Sequence, residues 1–537
     1  MAGLATSFGS GAMTNSIGEI KNCDVMFIIG SNPTEAHPII GLEMKKALKR
    51  GAKLIVADPR KTWMAQRANI HMQLVNGTDN LLINAMMHTI ISEGLEDKDY
   101  VAARTENYEA LKAHVMTVRP EDVADRVGVP AEDIERAARL YATTKHAAIF
   151  YTLGITEHIC GTENVRSLAN LAMLTGHVGV ESAGVNPLRG QNNVQGGCDM
   201  GAMPTVFPGY QKVVDAEVRE KFGKAWGVTI PPEPGLKLAQ FFIAAHEGTI
   251  KGMYIMGEDV VMSEPNKNHV TKSLQNLDFL VVQEIFMSET AKLADVVLPA
   301  ACWAEKDGTF TNSERRVQRV RKAVDPPGEA RADWEIICQV SGACGYEESY
   351  PSPKEIWDEL AHLTPSMHGI CYDRIDKLGL QWPCPDRDHP GTVYLHKDKF
   401  ARGLGEFVAI DFRPPAELPD DDYPLLLSTG RTLYHYNVGN MTRPSPVSSD
   451  KQPGNFVMIH ADDAAKLGVS NGQTVRVATR RGEVEASADV NRVVRPGAIW
   501  MPFHFAENAA NELTNDAFDN ITWTGEYKVC AARLEKV

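Results

Sequence analysis

"CDVMFIIGSNP", residues 23–33, is a strand-sized apolar run closed by Gly30 and the turn-prone pair Asn32-Pro33. The next segment, "IIGLEMKKALKRG" (39–51), has helical spacing, basic residues in its last turns and Gly51 placed as a C-cap. "AKLIVADPR" (52–60) predicts a second strand ended by Asp58-Pro59, and "NIHMQLVNGTDN" (69–80) a third ended by an Asn-Gly turn. Helices are predicted over 80–94 and 133–146, and a further strand over "AAIFYTLG" (147–154). Strand and helix in alternation mean a parallel, doubly wound α/β sheet.

The same order recurs later. "IKGMYIMGEDVVMSE" (250–264), "LDFLVVQEIFMSET" (277–290) and "ADVVLPAACWAEKDG" (294–308) are apolar runs that each end in a polar loop. Gly30 and Asn32 stand where Gly257 and Asp259 stand in the second passage, and Asp58 matches the pair Gln283 and Glu284 at nearly the same distance onward. Two related mononucleotide-binding folds in one chain are the expectation. Residues 330–400 mix tryptophan, proline and cysteine without a clear period, and "RPPAELPDDDYP" (413–424) reads as an acidic, proline-rich linker. Residues 456–501 are β-branched, alternating and broken at Asn-Gly and Arg-Gly, which predicts a β-barrel with one short helix at 461–467. The expected domains are therefore 1–191, 192–400, a linker at 401–424, and 425–537.

Totals exclude several classes. The chain has 537 residues, 43% apolar and 23% charged, which calls for several globular cores. A net charge of −14 argues against a nucleic-acid partner. No apolar run reaches the roughly 18 residues of a membrane span. Nine cysteines, at 23, 160, 198, 302, 338, 344, 371, 384 and 530, form no CxxC pair, so reduced cytoplasmic thiols are expected rather than a disulfide framework or a cluster held by this chain alone. "MAGLATSFGSGAMTNS" (1–16) lacks the basic head and long apolar core of a signal peptide.

Ligands of open parallel sheets bind beyond the carboxyl ends of strands, which singles out the polar loops. Asp58 there can accept from a ribose hydroxyl or a guanine edge, and Arg60 can meet a phosphate at two points; the competing reading is a plain turn. No GxGxxG or Walker loop is present. "STGRTLYHYNVGNMTR" (428–443) offers Arg431 and His435 at helical spacing, against the alternative of a structural histidine. The asparagine-rich "HFAENAANELTNDAFDNITWTGEYK" (504–528) suits a heterocycle edge or a capped loop. "NPLRGQNNVQGGCDMG" (186–201) reads as neither helix nor strand; its Arg189, set among amides and glycines, can fix a carboxylate at two points, or else bridge backbone carbonyls.

Together with "SNPTEAHP" (31–38), "VADPRKT" (56–62), "YIMGEDVVMSE" (254–264), "ADVVLPAACWAEKDGTFTNSERRVQRV" (294–320), "HADDAAKLGV" (460–469) and "NAANELTN" (508–515), that last motif resembles the catalytic subunit of molybdenum- or tungsten-dependent formate dehydrogenases. These are bis-molybdopterin guanine dinucleotide (bis-MGD) oxidoreductases, and the likeness runs from the first residues to the last. It implies two Rossmann-like domains followed by a six-stranded double-psi type barrel. It also implies that formate is oxidised to CO2 at a Mo or W held by two pterin dithiolenes, each with a guanosine tail. The formate-orienting arginine falls on Arg189 and a pterin contact on Gln191. One nucleotide set falls on Asn32, Asp58, Arg60, Gly77 and Asp79, with Glu157, in place of a frequent amide, near a pterin. The other falls on Gly257, Asp259, Ser263, Gln283, Glu284 and Asp333. The β domain supplies Arg431, His435, Asn511, Tyr527 and Lys528. Iron–sulfur or other electron-transfer subunits are the implied partners.

The family's N-terminal region carries four cysteines for a [4Fe–4S] cluster, a lysine between cluster and pterin, and a selenocysteine or cysteine metal ligand followed by histidine. None of these stands here, and "MAGLATSFGSGAMTNS" looks like family sequence that begins just after the Sec/Cys-His pair. The expectation is a frame opened past a selenocysteine UGA; the alternative is a split subunit with its N-terminal part on a second chain. Either way the expectation is a chain inactive and poorly stable alone, with an exposed apolar face on residues 192–400. Other functions are a nitrate reductase-like sister enzyme, disfavoured by the Arg189 motif, and a non-catalytic scaffold as in the complex I subunit, disfavoured by the intact polar loops.

Overall fold

The computed structural model describes residues 1–537, which form two compact units. The first comprises Met1–Leu188, Met262–Val270 and Tyr394–Val537; the second comprises Arg189–Val261 and Thr271–Val393.

The first unit is built on a parallel sheet of β1 (Val25–Ile29), β2 (Lys53–Ala57), β3 (Ile70–Met72), β4 (Ala147–Tyr151) and β5 (Gly184–Pro187), in the order β3-β2-β1-β4-β5. Every residue of β1 and β4 is buried, which is why their apolar runs do not alternate: both faces of the sheet are covered. The covering helices include α1 (Pro38–Arg50), α2 (Asp79–Ser92), α3 (Ala131–Ala142) and α4 (Gly161–Leu174). Proline at its start and Gly51 in the left-handed region (φ 103°) bound α1 as the sequence predicts. The stretch read as neither helix nor strand is corrected: Asn186-Pro187 end β5, and Val194–Asp199 form a short helix, α5.

In the second unit, β6 (Gly252–Met256), β7 (Phe279–Glu284) and β8 (Val296–Pro299) form a parallel sheet in the order β8-β7-β6, the same order as β3-β2-β1. The repeat extends to the backbone. Gly30 N donates to Ala57 O at 3.0 Å, and Gly257 N donates to Gln283 O at 2.9 Å. One face of this sheet is packed, with Ile255, Leu280 and Val282 at most 8% exposed. The other bears Tyr254, Met256, Phe279 and Val296, exposed by 40, 48, 50 and 38%. Parallel sheets are ordinarily covered on both faces, so this is the apolar face expected on residues 192–400. The isolated chain is expected to self-associate through it. Replacing Met256 and Phe279 with serine should restore a single monomeric boundary in sedimentation velocity; unchanged association in the double variant would count against that surface.

The barrel of the first unit consists of β9 (Leu425–Gly430), β10 (Phe456–His460), β11 (Thr474–Ala478), β12 (Glu483–Asn491), β13 (Ala498–Pro502) and β14 (Cys530–Lys536). It closes in the order β9-β13-β10-β12-β11-β14, around Leu427, Val457, Ile459, Val475, Val477 and Ile499. Strict in–out alternation along the first residues of β12 reflects one face in the barrel core and one in solvent. Helix Ala461–Leu467 lies where the sequence places it. Between residues 330 and 400, helices Asp333–Ala343 and Pro353–Leu363 occupy a stretch whose period was not legible. No helix is long and apolar enough to cross a membrane.

Candidate functional site

In the first unit, parallel strands put every predicted loop residue at one edge of the sheet. Asn32 follows β1, Asp58 and Arg60 follow β2, Gly77 and Asp79 follow β3, and Glu157 follows β4. The strand order changes direction between β1 and β4, the switch point at which such sheets open a crevice. The loops there meet tightly. Gly30 O accepts from Gly154 N at 3.0 Å and from Thr152 Oγ1 at 2.8 Å, and a Cβ on Gly30 (φ 54°) would come within 2.5 Å of Ile155 N.

Two carboxyls at this edge are buried without a side-chain cation bonded to them. Burial pushes Asp58 up to about 6, although Arg60 and its backbone N–H, at 2.8 Å, pull it down. Burial pushes Asp79, 4% exposed, up to about 7. The Arg60 guanidinium lies over the Trp500 ring at 4.2 Å, which leaves its N–H edge for an anion. Lys528 pairs with Glu157 at 2.6 Å and donates to Thr429 O at 3.1 Å, so a residue near the C-terminus reaches the β4 loop. Thr429 Oγ1 donates to Tyr527 O at 3.0 Å. Asn511 donates to Met262 O and Ser263 O at 2.8 and 3.1 Å and so holds the segment that carries Ser263.

Arg431 and His435 gather around His504. Both His435 nitrogens are engaged, one by Gln452 O at 2.8 Å and one by Thr442 Oγ1 at 3.2 Å. Its ring lies 5.7 Å from that of His504, whose Nε2 accepts from Thr432 N at 3.0 Å. Arg431 lies over the Phe503 ring at 5.8 Å. Sequence reasoning missed His158 and Glu526. The buried His158 ring stands 3.9 Å from both Asp79 Oδ2 and Glu526 Oε1, and burial holds its pKa down at about 4.

In the second unit the loop beyond β6 is stapled by Asp259. Its Oδ1 accepts from Thr290 N at 3.0 Å and Thr290 Oγ1 at 2.7 Å, and Oδ2 from Glu289 N at 3.3 Å. Gly257 (φ 63°) turns the chain there. Gln283 joins Tyr254 to Asp333, donating to Asp333 Oδ1 at 2.7 Å, and Lys306 pairs with the same carboxylate. Burial raises the Glu284 carboxyl. Arg189, at the start of this unit, donates its backbone N–H to Ser313 Oγ at 3.1 Å. Its Nε and Nη2 are buried with no acceptor on either, while the guanidinium as a whole faces the Cys198 thiol and the Asp199 carboxyl. Gln191 follows it, half-buried, ahead of α5. Two buried donors in one planar fork without an acceptor are costly unless an anion takes them, so the residues fit a small carboxylate.

Comparison with known proteins agrees with this chemistry. The family model "Molybdopterin oxidoreductase" matches residues 3–343, and "Molydopterin dinucleotide binding domain" matches 425–531. F420-dependent formate dehydrogenase 2 subunit alpha of Methanococcus maripaludis is 48% identical over 542 residues, spanning 100% of this chain and 80% of its own length. Formate dehydrogenase H of Escherichia coli is 44% identical over 545 residues, spanning 100% and 76%. The solved structure of acetylene hydratase from Pelobacter acetylenicus superposes with a TM-score of 0.76 at 22% identity, covering 100% of this chain and 80% of that one, and so shares the fold. The chain belongs to the molybdopterin oxidoreductase family, in its formate dehydrogenase alpha-subunit branch.

Proposed function

We propose that this chain is the cofactor-binding body of a formate dehydrogenase or CO2 reductase, with Arg189 as its formate clamp. The observation that carries the reading is the Arg189 fork: Nε and Nη2 buried, unpartnered, and set in a segment of amides and glycines. Bis-MGD with Mo or W, when bound, supplies the centre that takes two electrons from formate. The residues of this chain bind and orient. Asn32, Asp58, Arg60, Gly77 and Asp79 hold one nucleotide end, and Gly257, Asp259, Gln283, Glu284 and Asp333 the other. Glu157, Gln191, Ser263, Arg431, His435, Asn511, Tyr527 and Lys528 complete the cofactor contacts. Arg189 neutralises the formate carboxylate and points its C–H bond outward. The domain division 1–191, 192–400, 401–424 and 425–537 is part of this reading.

In this reading a [4Fe–4S] cluster not ligated by this chain, and iron–sulfur or other electron-transfer subunits, would be the route by which electrons leave. F420 is the acceptor we favour, because the names of relatives 47–48% identical include that dependence. Nine unpaired cysteines support a reducing, cytoplasmic setting.

Metal and nucleotide analysis of the complete enzyme, beside a formate assay, tests the reading. Expected are about one Mo or W and about two guanine nucleotides per chain, with formate-dependent dye reduction. A fully loaded enzyme that leaves formate untouched overturns it, as does an enzyme with neither metal nor nucleotide.

A further inference from the structure

Asp199 is fully buried and gathers three donors. Gln195 Nε2 and the Tyr210 hydroxyl each donate to Oδ1 at 2.7 Å, and Trp382 Nε1 donates to Oδ2 at 2.6 Å. Gln195 Nε2 also reaches the Tyr210 hydroxyl at 2.9 Å. These partners come from α5 itself, from the turn Pro208–Tyr210 and from the residue after strand Leu380–Gln381, so one carboxylate ties three segments of the second unit.

The tie lies on the Arg189 side of the fold. Asp199 is the last residue of α5, whose N-cap, Asn193, accepts from Thr311 N at 2.9 Å, and Arg189 lies four residues before that cap. The charged and titratable groups facing Asp199 are Arg189, Cys198 and Tyr210. Burial pushes the Asp199 carboxyl up to about 6 against the pull of its three donors and of the Arg189 guanidinium. A buried carboxylate that acts only as acceptor suits three donors; its protonated form must turn one oxygen into a donor and lose a partner.

We propose that Asp199 is a positioning residue: through Gln195, Tyr210 and Trp382 it fixes α5, and with it the direction in which the Arg189 fork points. This rests on the reading of Arg189 as the formate clamp. The role is independent of the cofactor contacts, because none of the three partners belongs to them.

In the complete enzyme, Asp199→Asn should raise KM for formate about tenfold while kcat stays within about threefold. Wild-type KM should climb as pH falls through about 6, and the variant should lose that dependence. Tyr210→Phe removes a donor that lowers the Asp199 pKa, so it should move the midpoint to higher pH and raise KM less. This variant carries the test should Asp199→Asn fail to fold. A second readout needs no activity. Acid titration of tryptophan fluorescence should show a step near pH 6, absent in Asp199→Asn and in Trp382→Phe. A step that persists in Asp199→Asn overturns the proposal, as does an Asp199→Asn or Tyr210→Phe enzyme with wild-type KM and pH profile. If the step behaves as expected while Arg189→Ala keeps its formate KM, the formate reading fails and the positioning role of Asp199 stands.

Discussion

Arg189→Ala should lower kcat/KM for formate by about a thousandfold in the complete enzyme, and Arg189→Lys should recover no more than about tenfold of it. The magnitude follows from the fork. Nε and Nη2 are both buried and both lack a protein acceptor, so a bound carboxylate meets two charge-assisted donors. Hydrogen bonds to charged groups contribute about 1.5–3 kcal/mol each, and two of them give about 4 kcal/mol, which is about a thousandfold. Lysine keeps the charge but offers a point donor on a flexible stem, so it restores attraction without the two-point geometry that holds the C–H bond in place. The loss should divide between KM and kcat, because orientation counts in the transition state as well as in binding. Steady-state kinetics with formate, at a metal content matched to wild type, checks this. An alanine variant within about threefold of wild type would remove Arg189 from the substrate site.

The fold was legible where burial imposes a simple pattern. β1, β4 and β7 are central strands whose apolar runs stand out, and the strand-end loops carrying Asn32, Asp58, Gly257 and Asp259 follow directly from parallel topology. β5 was not legible, because Gly184, Asn186 and Pro187 are poor strand formers. It is tolerated as an edge strand pinned by polar contacts, with Asn15 N donating to Asn186 Oδ1 at 3.2 Å. The ligand-facing residues were legible as types in loops, but their partnerships were not. Lys528 and Glu157 are distant in the chain, and Trp382 reaches Asp199 across 183 residues of sequence. A single sequence contains no signal for such pairs. The adjacent Cys198-Asp199 at the end of the arginine motif was visible, but its role depends on Tyr210 and Trp382, which only the folded chain brings there.

Asp79→Asn should make the cofactor-free chain more stable at neutral to mildly alkaline pH by a few kcal/mol, and at the same time make the complete enzyme lose most of the one guanine nucleotide that Asp79 helps to hold, about half of the total. The sign follows from the direction of the shift. Burial pushes the Asp79 carboxyl up to about 7, whereas in the unfolded chain it titrates near 3.9, so the folded state binds the proton more tightly. Asp79 therefore contributes stability that is fully present below about pH 4 and is lost as pH rises through about 7. An isosteric amide has no charge to bury and escapes that loss. His158, 3.9 Å away and held down at about 4, acts oppositely: its contribution is lost as pH falls, so wild type and variant must be compared at the same pH. The nucleotide side has the other sign. A guanine edge or ribose presents donors, and a carboxylate receives them better than an amide whose NH2 opposes them. Losing charge-assisted bonds of about 1.5–3 kcal/mol lowers retention about 10- to 100-fold. Thermal unfolding of the cofactor-free chain at matched pH, with nucleotide content of the purified enzyme, reads both effects. A variant that is less stable without cofactor, or that keeps its nucleotide, would show that Asp79 is an ordinary helix-start residue. The expected pair of results would instead mean that the chain carries an uncompensated buried charge because its ligand completes it.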